Sequence, residues 1–69
     1  MKFIKDEMYK NIYKDPETAF IVDKIISESV EGVELLVTWY KKDNSKYVAI
    51  DYQGEFFIPK NNILHYIKL

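Results

Sequence analysis

Apolar and polar positions alternate most cleanly in residues 33–41, "VELLVTWYK", where Val33, Leu35, Val37 and Trp39 share one parity and Glu34, Leu36, Thr38 and Tyr40 the other. A period of two sends successive side chains to opposite faces of a strand, so the first set is the predicted core face. Residues 18–30, "TAFIVDKIISESV", are too crowded with β-branched and aromatic residues to favour helix and read as a long strand. Their alternation slips: Phe20, Val22, Ile26 and Val30 share one parity, Ala19, Ile21 and Ile25 the other, with Asp23 and Lys24 between. A bulge or sharp bend near Asp23 reconciles the two sets. Between the strands, "VEGV" reads as a tight hairpin in which Gly32 takes the positive φ such a turn asks for.

Beyond Tyr40 the segment "KKDNSK" is a polar turn, with Asp43 and Asn44 able to satisfy turn backbone locally. "KYVAIDY" follows as a strand, Val48, Ile50 and Tyr52 sharing a parity, and Gln53-Gly54 is expected to turn the chain into "EFFI". Pro59 has no N–H to give a ladder and ends that strand, after which "ILHYIKL" is expected to pair as the last one. The first seventeen residues read two ways. Ile4, Met8 and Ile12 recur every four residues, as on an amphipathic helix, whereas "MYKNIYKDPET" reads as a strand and a turn at Pro16. The strand reading is adopted, with helix as the alternative for residues 2–14. Hairpin-linked strands with short turns predict an all-β fold: a small five-stranded antiparallel barrel with a short N-terminal strand or helix, one domain over residues 1–69.

One stretch, "QGEFFIPKNNI", carries a resemblance. It looks like the end of Src-homology-3 domains, where a glycine turn leads to a strand ending aromatic-Ile-Pro, then any residue, Asn, an aromatic, and Val or Ile. Phe57, Ile58, Pro59, Lys60, Asn61, Asn62 and Ile63 stand at those positions here. The resemblance implies a Src-homology-3-like barrel, and in that family the proline and asparagine, with tyrosines and a tryptophan, line a groove for proline-rich peptides. Pro59 and Asn61 match, Asn62 stands where the groove's tyrosine would be, and the "ALYDY"-type motif and tandem tryptophans are absent.

Composition narrows the function classes. An apolar fraction of 48% with 16% aromatics is that of a folding chain, and the absence of cysteine removes disulfides and thiolate metal sites, which fits a cytoplasmic setting. No run approaches the roughly 18 apolar residues of a membrane span, and "MKFIKDEMYK" carries charge where a signal peptide is apolar. All ten basic residues are lysines; without arginine's planar fork, sequence-specific DNA reading is disfavoured. The arginine-free, Lys/Ile/Tyr/Asn-rich vocabulary suggests an AT-rich genome, a low-GC bacterium or its phage.

Catalytic material is sparse: one histidine, His65, and serines at positions 27, 29 and 45. Asp51 and Glu55 flank the expected Gln53-Gly54 turn, and two glycines make no phosphate loop. No enzyme activity, cofactor or metal is expected. Tyr40 and Tyr47 are expected to face each other across the "KKDNSK" turn, outside the core with Tyr9, Tyr13 and Tyr66, and exposed tyrosines suit interfaces. Asp23, Glu28, Glu31 and Glu34 gather around one hairpin as an acidic surface for a basic partner. The expected function is binding of another protein through Tyr40, Tyr47, Glu31, Glu34, Pro59 and Asn61, as in a small phage or mobile-element factor or inhibitor acting on a host target; a homo-oligomer is a further option. The alternative is weak single-stranded nucleic-acid binding through Lys41, Lys42, Lys46 and nearby tyrosines.

Overall fold

The computed structural model describes residues 2–14 and 17–69. These form five strands, β1 (Met8–Asn11), β2 (Thr18–Ser29), β3 (Gly32–Asp43), β4 (Lys46–Pro59) and β5 (Tyr66–Lys68), with a 3-10 helix at Lys60–His65. All strand pairs are antiparallel, in one sheet ordered β4-β3-β2-β1-β5. The all-β expectation holds, with five antiparallel strands in one sheet, the N-terminal strand expected ahead of the barrel being one of the five. Pro16, expected in the turn before β2, lies outside the described residues.

The β2–β3 pair is the spine. Phe20 opposes Trp39 and Val22 opposes Val37, and the register then slips between Val22 and Lys24 and again between Ile25 and Ser27. The first slip is the bulge expected near Asp23. The first extra residue exchanges the faces, so Ile25 packs against the core; Ile26 falls in the second slip, which exchanges them back, and is exposed. Continuing the parity of Phe20 and Val22 to Ile26 thus fails at the second slip, and Val30 is exposed because it lies in the hairpin loop between Ser29 and Gly32.

Gly32 closes the hairpin opposite Ser29, with φ +154°, so the two-residue loop is Val30-Glu31. A Cβ on Gly32 would lie 2.3 Å from the Ile58 carbonyl oxygen, so a close approach of β4 requires glycine there as much as the turn does.

The expected turn at Gln53-Gly54 does not form. "KYVAIDY" and "EFFI" are one 14-residue strand, β4. Its irregularity falls earlier, where Ile50, Asp51 and Tyr52 together oppose Trp39, and Asp51 takes a left-handed φ of 59° that aspartate tolerates better than most residues. Gly54 leaves room instead of turning: a Cβ there would meet the Tyr52 hydroxyl at 3.1 Å.

The expected terminal strand is also shorter than read. After Pro59 the chain winds as 3-10 helix to His65, anchored by the Lys60 N–H donating to the Glu31 carbonyl at 2.9 Å, and only Tyr66–Lys68 pair, with β1. β1 settles the N-terminal ambiguity as strand, Tyr9 opposing Phe20 on one side and Lys68 on the other.

The core is Phe3, Tyr9, Phe20, Val22, Val33, Leu35, Val37 and Ile58, with Trp39, Phe56 and Tyr66 partly buried against it. The predicted core face of β3 is therefore correct. Tyr9, expected outside the core, is only 1% exposed; its ring meets Phe3 edge-on at 4.8 Å and its hydroxyl accepts the Ile4 N–H at 2.8 Å. Tyr66 also packs on the core, while Tyr13 stands out at 73% exposure. The sheet curls: Phe56 on one edge strand and Tyr66 on the other bring their ring centroids within 6.4 Å. Among the described residues no helix is long and apolar enough to cross a membrane.

Candidate functional site

The residues singled out from the sequence fall at two ends of the sheet. Glu31 and Glu34 belong to the β2–β3 hairpin, and Pro59 opposes Gly32 at the end of β4, just before Asn61 on the 3-10 helix. Tyr40 and Tyr47 lie toward the other end, six residues along β3 from Glu34 and eight from Gly32, roughly 20–25 Å at strand rise. No one surface holds all six. Pro59 and Asn61 are exposed but stand away from Trp39, whose strand neighbours oppose Gln53 and Ala49, so they do not border a tryptophan groove.

Tyr40 and Tyr47 do not oppose each other. Tyr40 pairs with Ala49 and Tyr47 with Lys42, so the two tyrosines are diagonal neighbours on one face, both half-buried. Lys41, Lys42 and Lys46 are exposed around the same tip. Alternation along β3 sends Lys41 and Lys42 to opposite faces, so the three lysines do not form one phosphate track. Asp23 leaves the acidic group altogether: its carboxylate accepts the Thr38 hydroxyl and, at 2.9 Å, the Gln53 amide, tying β2, β3 and β4 together.

The feature that sequence reading passed over is the free edge of β4. Among the described residues β4 has β3 on one side and no strand on the other. Asn44 and Ser45 form a two-residue loop closed by Asp43 and Lys46, with the positive φ of 58° at Asn44. The closing pair of such a hairpin exchanges both hydrogen bonds, so Lys46 and Val48 bond inward to β3, and Tyr47 and Ala49 present their N–H and C=O groups outward. Alongside them Val48, Ile50 and Tyr52 are 49%, 46% and 60% exposed. The signal in the sequence was the shared parity of those three residues; what was missing was that β4 lies at the edge.

A cavity of about 200 Å³, to which β4 contributes only Phe56, is lined by Lys10, Asn11, Lys14, Thr18, Ala19, Phe20, Trp39, Phe56 and Tyr66. Its aromatic floor is a mesh of edge-to-face contacts, Phe20 to Trp39 at 5.3 Å, Trp39 to Phe56 at 5.3 Å and Phe20 to Tyr66 at 5.8 Å. The loop above β1 is held by the Asn11 side-chain oxygen, which accepts the N–H groups of Tyr13 and Lys14 at 2.8 and 3.1 Å. His65 lies on the 3-10 helix, not a strand, and packs edge-on to Tyr13 at 4.9 Å. Asp51 and Glu55 flank no turn; both are exposed along β4. No group of three or more metal-ligating side chains occurs among the described residues.

Comparison with protein-family models, with curated proteins and with solved structures found no match.

Proposed function

We propose that the protein is a non-enzymatic binding module that takes an extended segment of a partner protein onto the free edge of β4. The observation that carries this reading is the exposed apolar row Val48, Ile50 and Tyr52 on a strand with one side unpaired. Of the devices that guard such edges, β4 has the irregularity at residues 50–52 and the charges of Asp51 and Glu55, but no lysine or proline between Lys46 and Pro59, and residues 47–50 carry no charge. Outward N–H and C=O groups beside alternating apolar side chains are what strand addition uses: the main chain supplies affinity, the side chains selectivity. Tyr47 extends the surface to the outer face. Glu34, five residues along β3 from Trp39, lies roughly 17 Å from this contact, and Glu31 lies farther, so both are about two Debye lengths or more away at physiological salt and contribute little to it.

The five-stranded antiparallel order, the curl of the sheet and the 3-10 corner after Pro59 support a Src-homology-3-like barrel. The separation of Pro59 and Asn61 from Trp39 argues against that family's proline-rich ligand. A cytoplasmic protein of a low-GC bacterium, phage or mobile element fits the cysteine-free, arginine-free composition.

Affinity capture from host extract tests the reading. The wild type should retain a stoichiometric partner that Ile50→Lys loses and Glu31→Lys/Glu34→Lys keeps. Equal capture by Ile50→Lys refutes it. Concentration-dependent self-association that Ile50→Lys abolishes would instead make a second copy of the chain the occupant.

A further inference from the structure

We propose that the cavity floored by Trp39 receives one large apolar side chain of the partner segment, flanked in that segment by carboxylates. This rests on the reading of β4 as a docking edge. β4 contributes Phe56 to the cavity and β5, the opposite edge, contributes Tyr66, so a partner segment that continues along β4 from Tyr47 as far as Phe56 reaches the cavity wall. Period-two alternation then turns every second side chain of the added strand toward the aromatic floor.

Size and charge select the occupant. At about 200 Å³ the cavity is smaller than the roughly 300–1,000 Å³ typical of small-molecule and cofactor sites, and has room for a single aromatic or branched aliphatic group. Trp39, Phe56 and Tyr66 are only partly buried, leaving apolar ring surface for it to cover. The charged residues among those lining the cavity are both lysines, Lys10 and Lys14, and neither forms an ion pair among the described residues. Lys41 opposes Thr18, another lining residue, and adds a third positive charge nearby. Acidic residues on either side of the inserted group complement that rim.

Trp39 is the only tryptophan, so its fluorescence reports occupancy directly. The probes are a blocked peptide with phenylalanine between glutamates, the same peptide with glycine for phenylalanine, the same with lysines for glutamates, and an oligothymidylate. The Phe/Glu peptide should shift the emission saturably, and Lys10→Glu/Lys14→Glu should weaken it about tenfold, as two rim charge reversals allow. Circular dichroism checks that this variant folds; if it does not, Lys10→Gln/Lys14→Gln and a loss of wild-type affinity with salt read the same effect. No emission change, or equal responses to the glycine or lysine peptides, overturns the proposal. A response to oligothymidylate alone makes this a nucleobase pocket and overturns it too. If Ile50→Lys loses the partner while no peptide perturbs Trp39, only the cavity proposal fails; if Ile50→Lys still captures the partner, the docking edge fails.

Discussion

β3 and β4 are adjacent, of similar length and written in similar residues, yet they live in different solvents. On β3, Val33, Leu35 and Val37 are buried because β2 and β4 flank them and the curled sheet covers their face; on β4, Val48, Ile50 and Tyr52 are about half exposed. Position, not residue type, separates them: Ile58, farther along the same β4 and opposite Val33, is buried in the core, whereas Val48, Ile50 and Tyr52 lie on the part of β4 toward the hairpin tip. An apolar alternation in the centre of a sheet is a core, and the same alternation on an open edge is a surface with bonding capacity left over.

The sharpest way to break this comparison is to truncate one residue on each strand. Leu35→Ala should cost about 3–5 kcal/mol, a large part of the roughly 3–10 kcal/mol expected for a chain of this size, whereas Ile50→Ala should stay within about 1 kcal/mol. Urea denaturation of both variants measures the difference, and similar losses would mean that β4 is covered as β3 is.

The two glycines give the next contrast. Gly32→Ala places a methyl group against the Ile58 carbonyl in a backbone conformation alanine rarely adopts, and should cost about 2 kcal/mol or more. Gly54→Ala has an ordinary backbone and only the exposed Tyr52 ring to displace, so it should cost less than about 1 kcal/mol. Melting curves that rank them the other way would restore Gly54 to the turn role its sequence context suggests.

The smallest effects concern tyrosines on the two sides of the comparison. Tyr9→Phe removes the acceptor of the Ile4 N–H and should cost about 1 kcal/mol. Tyr13→Phe, on an exposed ring, should be neutral within about 0.5 kcal/mol. Equal values would mean that the Tyr9 hydroxyl contributes nothing to holding the N-terminal segment.

These contrasts mark what the sequence could and could not carry. Local periodicity found β2 and β3, the core face Val33–Leu35–Val37 and the slip near Asp23, because bulge and alternation are written in neighbouring residues. It misplaced Tyr9, whose burial depends on β2 and β5 arriving on either side, and it divided β4 at Gly54, since a glycine kept for space under Tyr52 looks the same in sequence as one kept for a turn. The candidate site was half legible. The tip residues Tyr40, Tyr47 and Lys46 were visible as a turn with aromatics, but the edge position of β4 and the meeting of Phe56 with Tyr66 are consequences of strand order. For the same reason Glu31, Glu34, Pro59 and Asn61 were grouped with residues that lie at the far end of the sheet.

Amide hydrogen exchange on the captured complex, compared with the free protein, tests the docking edge most directly. Partner binding should slow exchange at Tyr47 and Ala49, whose N–H groups point away from β3, and leave the amides around Glu31 and Asn61 unchanged. Protection confined to the Glu31–Asn61 end, with Tyr47 and Ala49 exchanging as in the free protein, would contradict it.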